Sequence, residues 1–133
     1  MNVVDVTCAV IVKDDRILIT RRADNMSRPG KWEFPGGKIE KDESAEECIL
    51  REIEEELNLK LKIKNWIDPV VHHYPDISIR LIPCIAEIGS GELTLHEHSE
   101  FKWVKPDELD DQDWAPADIP VIKQISNNPL KFH

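Results

Sequence analysis

Cysteine is scarce in this chain, basic residues are outnumbered, and long apolar runs are missing. Cys8, Cys48 and Cys84 are scattered, odd in number and free of any CxxC spacing. Their apolar surroundings exclude a disulfide framework and read as buried thiols of a reducing compartment, with no catalytic part. Lys and Arg number 17 against 26 Asp and Glu, a net charge of −9. Such a balance argues against general nucleic-acid binding, and an anionic ligand would need cations gathered locally. No apolar run approaches membrane-spanning length. The opening MNVVDVTCAV lacks the basic start and uninterrupted apolar stretch of a signal peptide. A cytoplasmic location without membrane partners is therefore expected. With no internal repeat, low-complexity tract or linker, residues 1–133 read as one domain with a single core.

What is present alternates. Val3–Val12 and RILIT (Arg16–Thr20) read as strands turned by Asp14-Asp15. Ala23–Lys31 reads as a polar loop closing on Pro29-Gly30, followed by a short WEF strand and a tight turn at Pro35-Gly36-Gly37. Ser44 with Glu47 three residues on is a capping box, so a helix is predicted from Ala45 to Leu57, ended by Asn58 in the left-handed conformation. Further strands are predicted at Leu59–Trp66, Val70–Tyr74, Ile77–Ile88 and Phe101–Val104, the middle pair turned by Pro75-Asp76. Pro106–Leu109 reads as a helical turn and Ile119–Ile125 as a second helix. The expected fold class is α/β, a sandwich of helices around a mixed sheet.

The helix raises a physical problem. REIEEEL (Arg51–Leu57) puts four glutamates into seven residues. At ~100° per residue, Glu52, Glu55 and Glu56 share a sector with Ala45, Cys48 and Ile49, while Glu47, Arg51 and Glu54 point the other way. Three carboxylates thus line the edge that meets the rest of the protein. Glu52 and Glu56 are an i, i+4 like-charge pair, which costs roughly 0.2–0.5 kcal/mol even when exposed. Glu55 and Glu56 lie near the helix C-terminus, where the dipole favours cations. A divalent cation would relieve both penalties, since hard metals take carboxylate oxygens.

Reading outward, Gly37 is followed after five residues by Glu43 and after seven more by Arg51-Glu52. Ile53, a free position, Glu55-Glu56, a free position, Asn58 and Leu59 complete the pattern. This resembles the signature of the Nudix hydrolases, with Asn58 where the family usually has glycine. WEFPGGKIE, Arg21-Arg22, YPDISI, Glu97 ahead of Trp103 and PADIPVI resemble its MutT-type branch, which hydrolyses nucleoside triphosphates. LHEH (Leu95–His98) and WAPADIP (Trp114–Pro120) are similar to CTP and 5-methyl-dCTP pyrophosphohydrolases.

The resemblance implies a Nudix fold, an α/β/α sandwich, and hydrolysis of a nucleoside triphosphate to monophosphate and pyrophosphate. It implies Mg²⁺, with Mn²⁺ as a substitute, held by Glu52, Glu55, Glu56, Glu97 and the Gly36 carbonyl. It makes Arg51 an orienter of the carboxylates and Glu97 a candidate general base, with Glu100 as rival. Arg22 and Lys38, beside Gly36-Gly37, become phosphate and sugar contacts. Phe34, Ile79 and Asp118, with Tyr74 nearby, would form the base pocket. Ionised, Asp118 only accepts hydrogen bonds, which suits the N4 amino group of cytosine; protonated in an apolar pocket, it could donate to O6 of 8-oxoguanine. In LHEHSE, strict alternation turns Glu97 away from His96 and His98, and two nitrogens without further spaced ligands make a poor zinc site. His72 and His73 diverge as strand residues, and the four tryptophans read as packing. The partner is then a small nucleotide, with no nucleic acid, and the chain a monomer or homodimer. A nucleotide sugar such as ADP-ribose is the alternative substrate, and a binding module without catalysis the alternative class.

Overall fold

The computed structural model describes residues 3–127. Strand β1 (Val3–Lys13) turns into β2 (Arg16–Arg21) through Asp14 and Asp15, whose φ angles are 51° and 62°. Two successive left-handed residues make the tight turn whose twist matches a hairpin. The short strands β3 (Trp32–Glu33) and β4 (Gly36–Lys38) precede helix α1 (Ala45–Leu57). Strands β5 (Leu59–Trp66), β6 (Val70–His73), β7 (Ser78–Gly91) and β8 (Glu100–Val104) follow. Two 3₁₀ turns, Pro106–Asp111 and Pro116–Asp118, lead into α2 (Ile119–Asn127).

The main strand order is β3-β2-β1-β7-β5, with β4 on β1, β6 on β7 and β8 on β2. Among the described strands β1 and β7 pair in parallel, in register from Val3 beside Ser78 to Ile11 beside Ala86, and the other named strand pairs are antiparallel. Side-chain alternation along β1 divides the core. Ala9 and Ile11 face α1, where they meet Leu18, Ile49, Ile53 and Leu57. Cys8 and Val10 face the opposite layer with Ile17, Ile19, Val121, Ile122 and Ile125 of α2. Helices thus cover both faces of a mixed sheet, as expected for an α/β/α sandwich. No helix among the described residues is long and apolar enough to cross a membrane.

One local expectation fails. Gly36 and Gly37 do not form a tight turn: they are in β4, with Gly36 beside Cys8 and Gly37 beside Thr7 of β1. Glycine is needed for close approach, since a Cβ on Gly36 would lie 2.0 Å from the Thr7 carbonyl oxygen. That oxygen belongs to the central strand and cannot withdraw. Gly36→Ala is expected to destabilise the protein by at least about 2 kcal/mol, at the upper part of the overpacking range. A chemical-denaturation midpoint unchanged from wild type would contradict the clash.

Candidate active site

Helix α1 starts where the capping box places it. Glu47 N donates to Ser44 Oγ (3.1 Å), and Ser44 N donates to Glu47 Oε1 (3.0 Å). It ends at Asn58, whose φ is 59° and whose N–H donates to Glu54 O. These ends set the rotation of the helix: Cys48, Ile49, Ile53 and Leu57 are buried against the sheet, and Glu56 is buried with them. Cys48 Sγ donates to the Lys38 carbonyl (3.2 Å), and Thr7 Oγ1 donates to Gly37 O (3.2 Å). The helix and β4 are thereby fastened at the point where glycine meets carboxylate. All three thiols are buried, and burial raises their pKa values, that of Cys84 to about 12.

The acidic cluster departs from the helical-wheel expectation in two ways. Arg51 does not point away. Its Nε donates to Glu43 Oε2 (2.7 Å), its Nη1 to Glu52 Oε1 (2.7 Å) and Glu55 Oε2 (3.2 Å), and Glu40 lies 3.8 Å off. A long guanidinium stem can curl back along the helix, which a wheel drawn from Cα positions does not capture. The hydrogen bond from Arg51 holds the Glu43 carboxyl down at about 2. The second departure is Glu55, whose side chain is 60% exposed and held by Arg51, while that of Glu52 is only 16% exposed.

Glu56 is the strained member. Burial, then the charge of Glu52 and a hydrogen bond with it, then the charges of Glu33 and Glu97, raise its pKa to about 9. Glu56 Oε2 is buried without a hydrogen-bond partner among the described residues. Glu52 crowds β4, since a Cβ on Gly37 would lie 2.3 Å from Glu52 Oε2. Among the described residues no three His, Cys, Asp or Glu side chains converge into a ready cage; Arg51 draws Glu55 aside. The donor set still fits a hard divalent cation: an orphaned buried oxygen on Glu56 and a second carboxylate, that of Glu52, against it.

From this cluster a cleft of about 310 Å³ runs across the sheet. Gly36, Gly37, Lys38 and Glu56 line it together with Phe34, Tyr74, Ile79, Ala117, Asp118 and Arg22. Phe34 is packed on Trp114 with ring centres 4.9 Å apart. Tyr74 is held at the mouth, its hydroxyl accepting from Ala117 N (3.0 Å) and its ring lying under the Arg28 guanidinium (3.4 Å), which also pairs with Asp76. Two larger surface clefts, of about 840 and 720 Å³, gather around Val12, Asp14 and Asp15 and contain none of the α1 carboxylates. Size alone would choose the wrong place.

Asp118 is buried, and its Oδ1 accepts from Phe34 N (3.2 Å). Burial, followed by the charge of Glu33, pushes its carboxyl well above the usual range, while the Phe34 N–H and Arg22 oppose this less strongly. The direction of the shift favours the protonated acid, one of the two states considered above, because an apolar wall and a nearby carboxylate outweigh one amide donor.

Glu33 lines the cleft and His98 is bonded to it, a pairing the sequence does not reveal. Glu33 accepts from Arg22 Nη1 (2.8 Å) on one oxygen, and His98 Nε2 lies 2.7 Å from the other. A glutamate in a short strand and a histidine in a polar loop carry no periodic signal; WEF preceding the glycine pair was the nearest hint. His98 is buried while His96 and Glu97 are exposed, so strict alternation fails and the two histidines do not share a face. Residues 96–99 bend instead of extending as a strand. Glu97 acts electrostatically on Glu56, whereas its rival Glu100, on β8, is paired with Arg21 of β2 at 2.6 Å.

The NUDIX domain family matches residues 1–125. The chain is 35% identical over 126 residues to the CTP pyrophosphohydrolase of Escherichia coli (strain K12), covering 92% of this chain and 91% of that protein. It is 33% identical over 113 residues to the 8-oxo-dGTP diphosphatase of the same organism, covering 85% and 88%. The crystal structure of a MutT NUDIX hydrolase from Burkholderia pseudomallei superposes with a TM-score of 0.85 at 28% identity, over 94% of this chain and 99% of that one. With the acidic helix, the glycine strand and the cleft between them, these likenesses establish that the chain belongs to the Nudix family of hydrolases, in its MutT-like branch.

Proposed function

We propose that the protein is a divalent-metal-dependent pyrophosphohydrolase that converts nucleoside triphosphates to monophosphate and pyrophosphate, clearing damaged or non-standard nucleotides. Cytidine triphosphates and 8-oxo-dGTP are the proposed substrates. The observation that carries this reading is the cleft itself, which is lined both by Glu56, whose buried Oε2 has no hydrogen-bond partner among the described residues, and by Phe34, Ile79 and Asp118. A triphosphate needs the first and a base the others.

Glu52 and Glu56, with the Gly36 carbonyl, would hold Mg²⁺, joined by Glu55 and Glu97. Bound there, the ion supplies charge neutralisation for the phosphates and makes water more acidic. Arg51 keeps Glu52 oriented through its 2.7 Å bond. Lys38, at the rim, and Arg22, braced by Glu33, contact phosphate and sugar. Phe34 and Ile79 sandwich the base and Asp118 reads its edge. Glu97, whose charge acts on Glu56, takes a proton from the attacking water as oxygen bonds to phosphorus and the bridging bond to the leaving pyrophosphate breaks.

With Mg²⁺, CTP or 8-oxo-dGTP is expected to yield monophosphate and pyrophosphate in equal amounts, resolved by anion-exchange chromatography. Diphosphate and orthophosphate as products would place the cut at the terminal phosphate. Faster turnover of ADP-ribose than of every triphosphate would overturn the substrate class.

A further inference from the structure

Glu97 lies in a loop that has little regular structure of its own, yet a residue that abstracts a proton must be held in place. The loop is tied to α1 by Thr94 N donating to Leu57 O (3.0 Å) and His96 N donating to Glu56 O (3.2 Å). It is tied to β2 by Ser99 N donating to Arg21 O (3.0 Å). Between those ties His98 turns inward, with its side chain 1% exposed. A carboxylate oxygen accepts, so His98 Nε2 donates to Glu33 Oε2 at 2.7 Å. Glu33 is fixed in turn: its other oxygen takes Arg22 Nη1, and its backbone pairs with Thr20 of β2.

Packing alone gives no reason for an imidazole at this point. Burying a polar ring costs free energy that a leucine of similar volume would avoid. What the imidazole adds is direction, because one N–H aimed at one anchored carboxylate sets the rotation of the adjoining backbone. The next residue back in the chain is Glu97. We propose that His98 is a positioning residue, which clamps the loop onto Glu33 and thereby holds Glu97 against the Glu52–Glu56 cluster. This rests on the role given to Glu97 in the proposed function.

Three variants and one double variant test it. His98→Leu keeps volume and removes the donor; His98→Gln places an amide N–H near the position of Nε2; Glu97→Gln removes the positioned group. For His98→Leu, the nucleotide KM is expected to stay within about threefold while kcat falls about 10- to 100-fold, the range for partners that orient a functional carboxylate. Mn²⁺ affinity, read by electron paramagnetic resonance without nucleotide, weakens in both His98→Leu and Glu97→Gln. The double variant His98→Leu/Glu97→Gln loses no more than Glu97→Gln alone, and His98→Gln recovers most of the kcat. Multiplying losses in the double variant, or no rescue by glutamine in a protein that melts like wild type, would overturn the proposal in favour of a purely structural histidine. If wild type hydrolyses no nucleotide, the functional reading fails and the manganese measurement still decides. Equal Mn²⁺ affinity in wild type and His98→Leu then rejects the clamp, and parallel weakening in the two single variants sustains it.

Discussion

Glu56→Gln is expected to lower kcat by about 10²–10³-fold or more, as removal of a principal electrostatic element does, without lowering the stability of the metal-free protein. The two effects have one cause. Glu56 is buried beside Glu52, and its pKa stands at about 9 against an ordinary 4.5. Between those values the folded protein holds a proton that the unfolded chain releases. The sign follows: stability from this group is greatest below about 4.5 and is lost as pH rises through about 9. Glutamine is neutral throughout and its amide donates to Glu52 where the protonated acid now does, so this pH slope should disappear. Mg²⁺ competes with the same proton, so the rise in melting temperature on adding Mg²⁺ should grow from pH 6 to pH 9 in wild type. In Glu56→Gln that rise should be small at every pH. Melting curves at three pH values, with Mg²⁺ and with chelator, are sufficient. A metal-free glutamine variant that melts clearly lower at pH 7.5 would mean that ionised Glu56 is stabilised by a partner in the folded protein, and the clustered-charge account would fail.

The fold was legible in the sequence where local chemistry decides it. The Ser44–Glu47 box and the Asn58 stop are made by side chains within a few residues of each other, and α1 has the ends they specify. The strands β1 and β2 likewise lie, to within a residue, where their apolar patterning and the Asp14-Asp15 turn place them. Pairing was less accessible, because the parallel union of β1 with β7 joins residues some 75 positions apart, Val3 with Ser78 among them. Gly36 and Gly37 suggested a turn, the usual use of such a pair, whereas their actual constraint comes from Thr7 and Glu52, invisible without the tertiary fold. The same limit explains the site. The α1 carboxylates are contiguous and could be read; Arg51 was misdirected by its backbone position; and the Glu33–His98 bond spans 65 residues, so neither partner signals the other.

Asp118 provides the sharpest test of specificity. Protonated, with Oδ1 occupied by Phe34 N–H, it would keep a hydroxyl on Oδ2 able to donate toward a ring acceptor. In hydrogen bonding it then resembles an asparagine, one donor and one acceptor on a planar group. The O6 of 8-oxoguanine meets a donor instead of lone pairs, and the ring acceptors of cytosine can be met in the same way. Wild type at pH 7 is therefore expected to use 8-oxo-dGTP and CTP with kcat/KM values within about tenfold of each other. Asp118→Asn should change their ratio by no more than about threefold. Asp118→Ala should cost both substrates about 5- to 150-fold, because an unmatched buried polar group costs about 1–3 kcal/mol. The raised pKa supplies a second readout. As pH rises toward ionisation of Asp118, the donor is lost and a charge faces O6, so the 8-oxo-dGTP to CTP ratio falls in wild type and falls less in Asp118→Asn. Ionisation of the substrates is common to both enzymes and cancels between them. If Asp118→Asn instead raises the ratio tenfold or more at pH 7, Asp118 is ionised in the working enzyme, and base selection follows the preference for cytosine that the neutral acid removes.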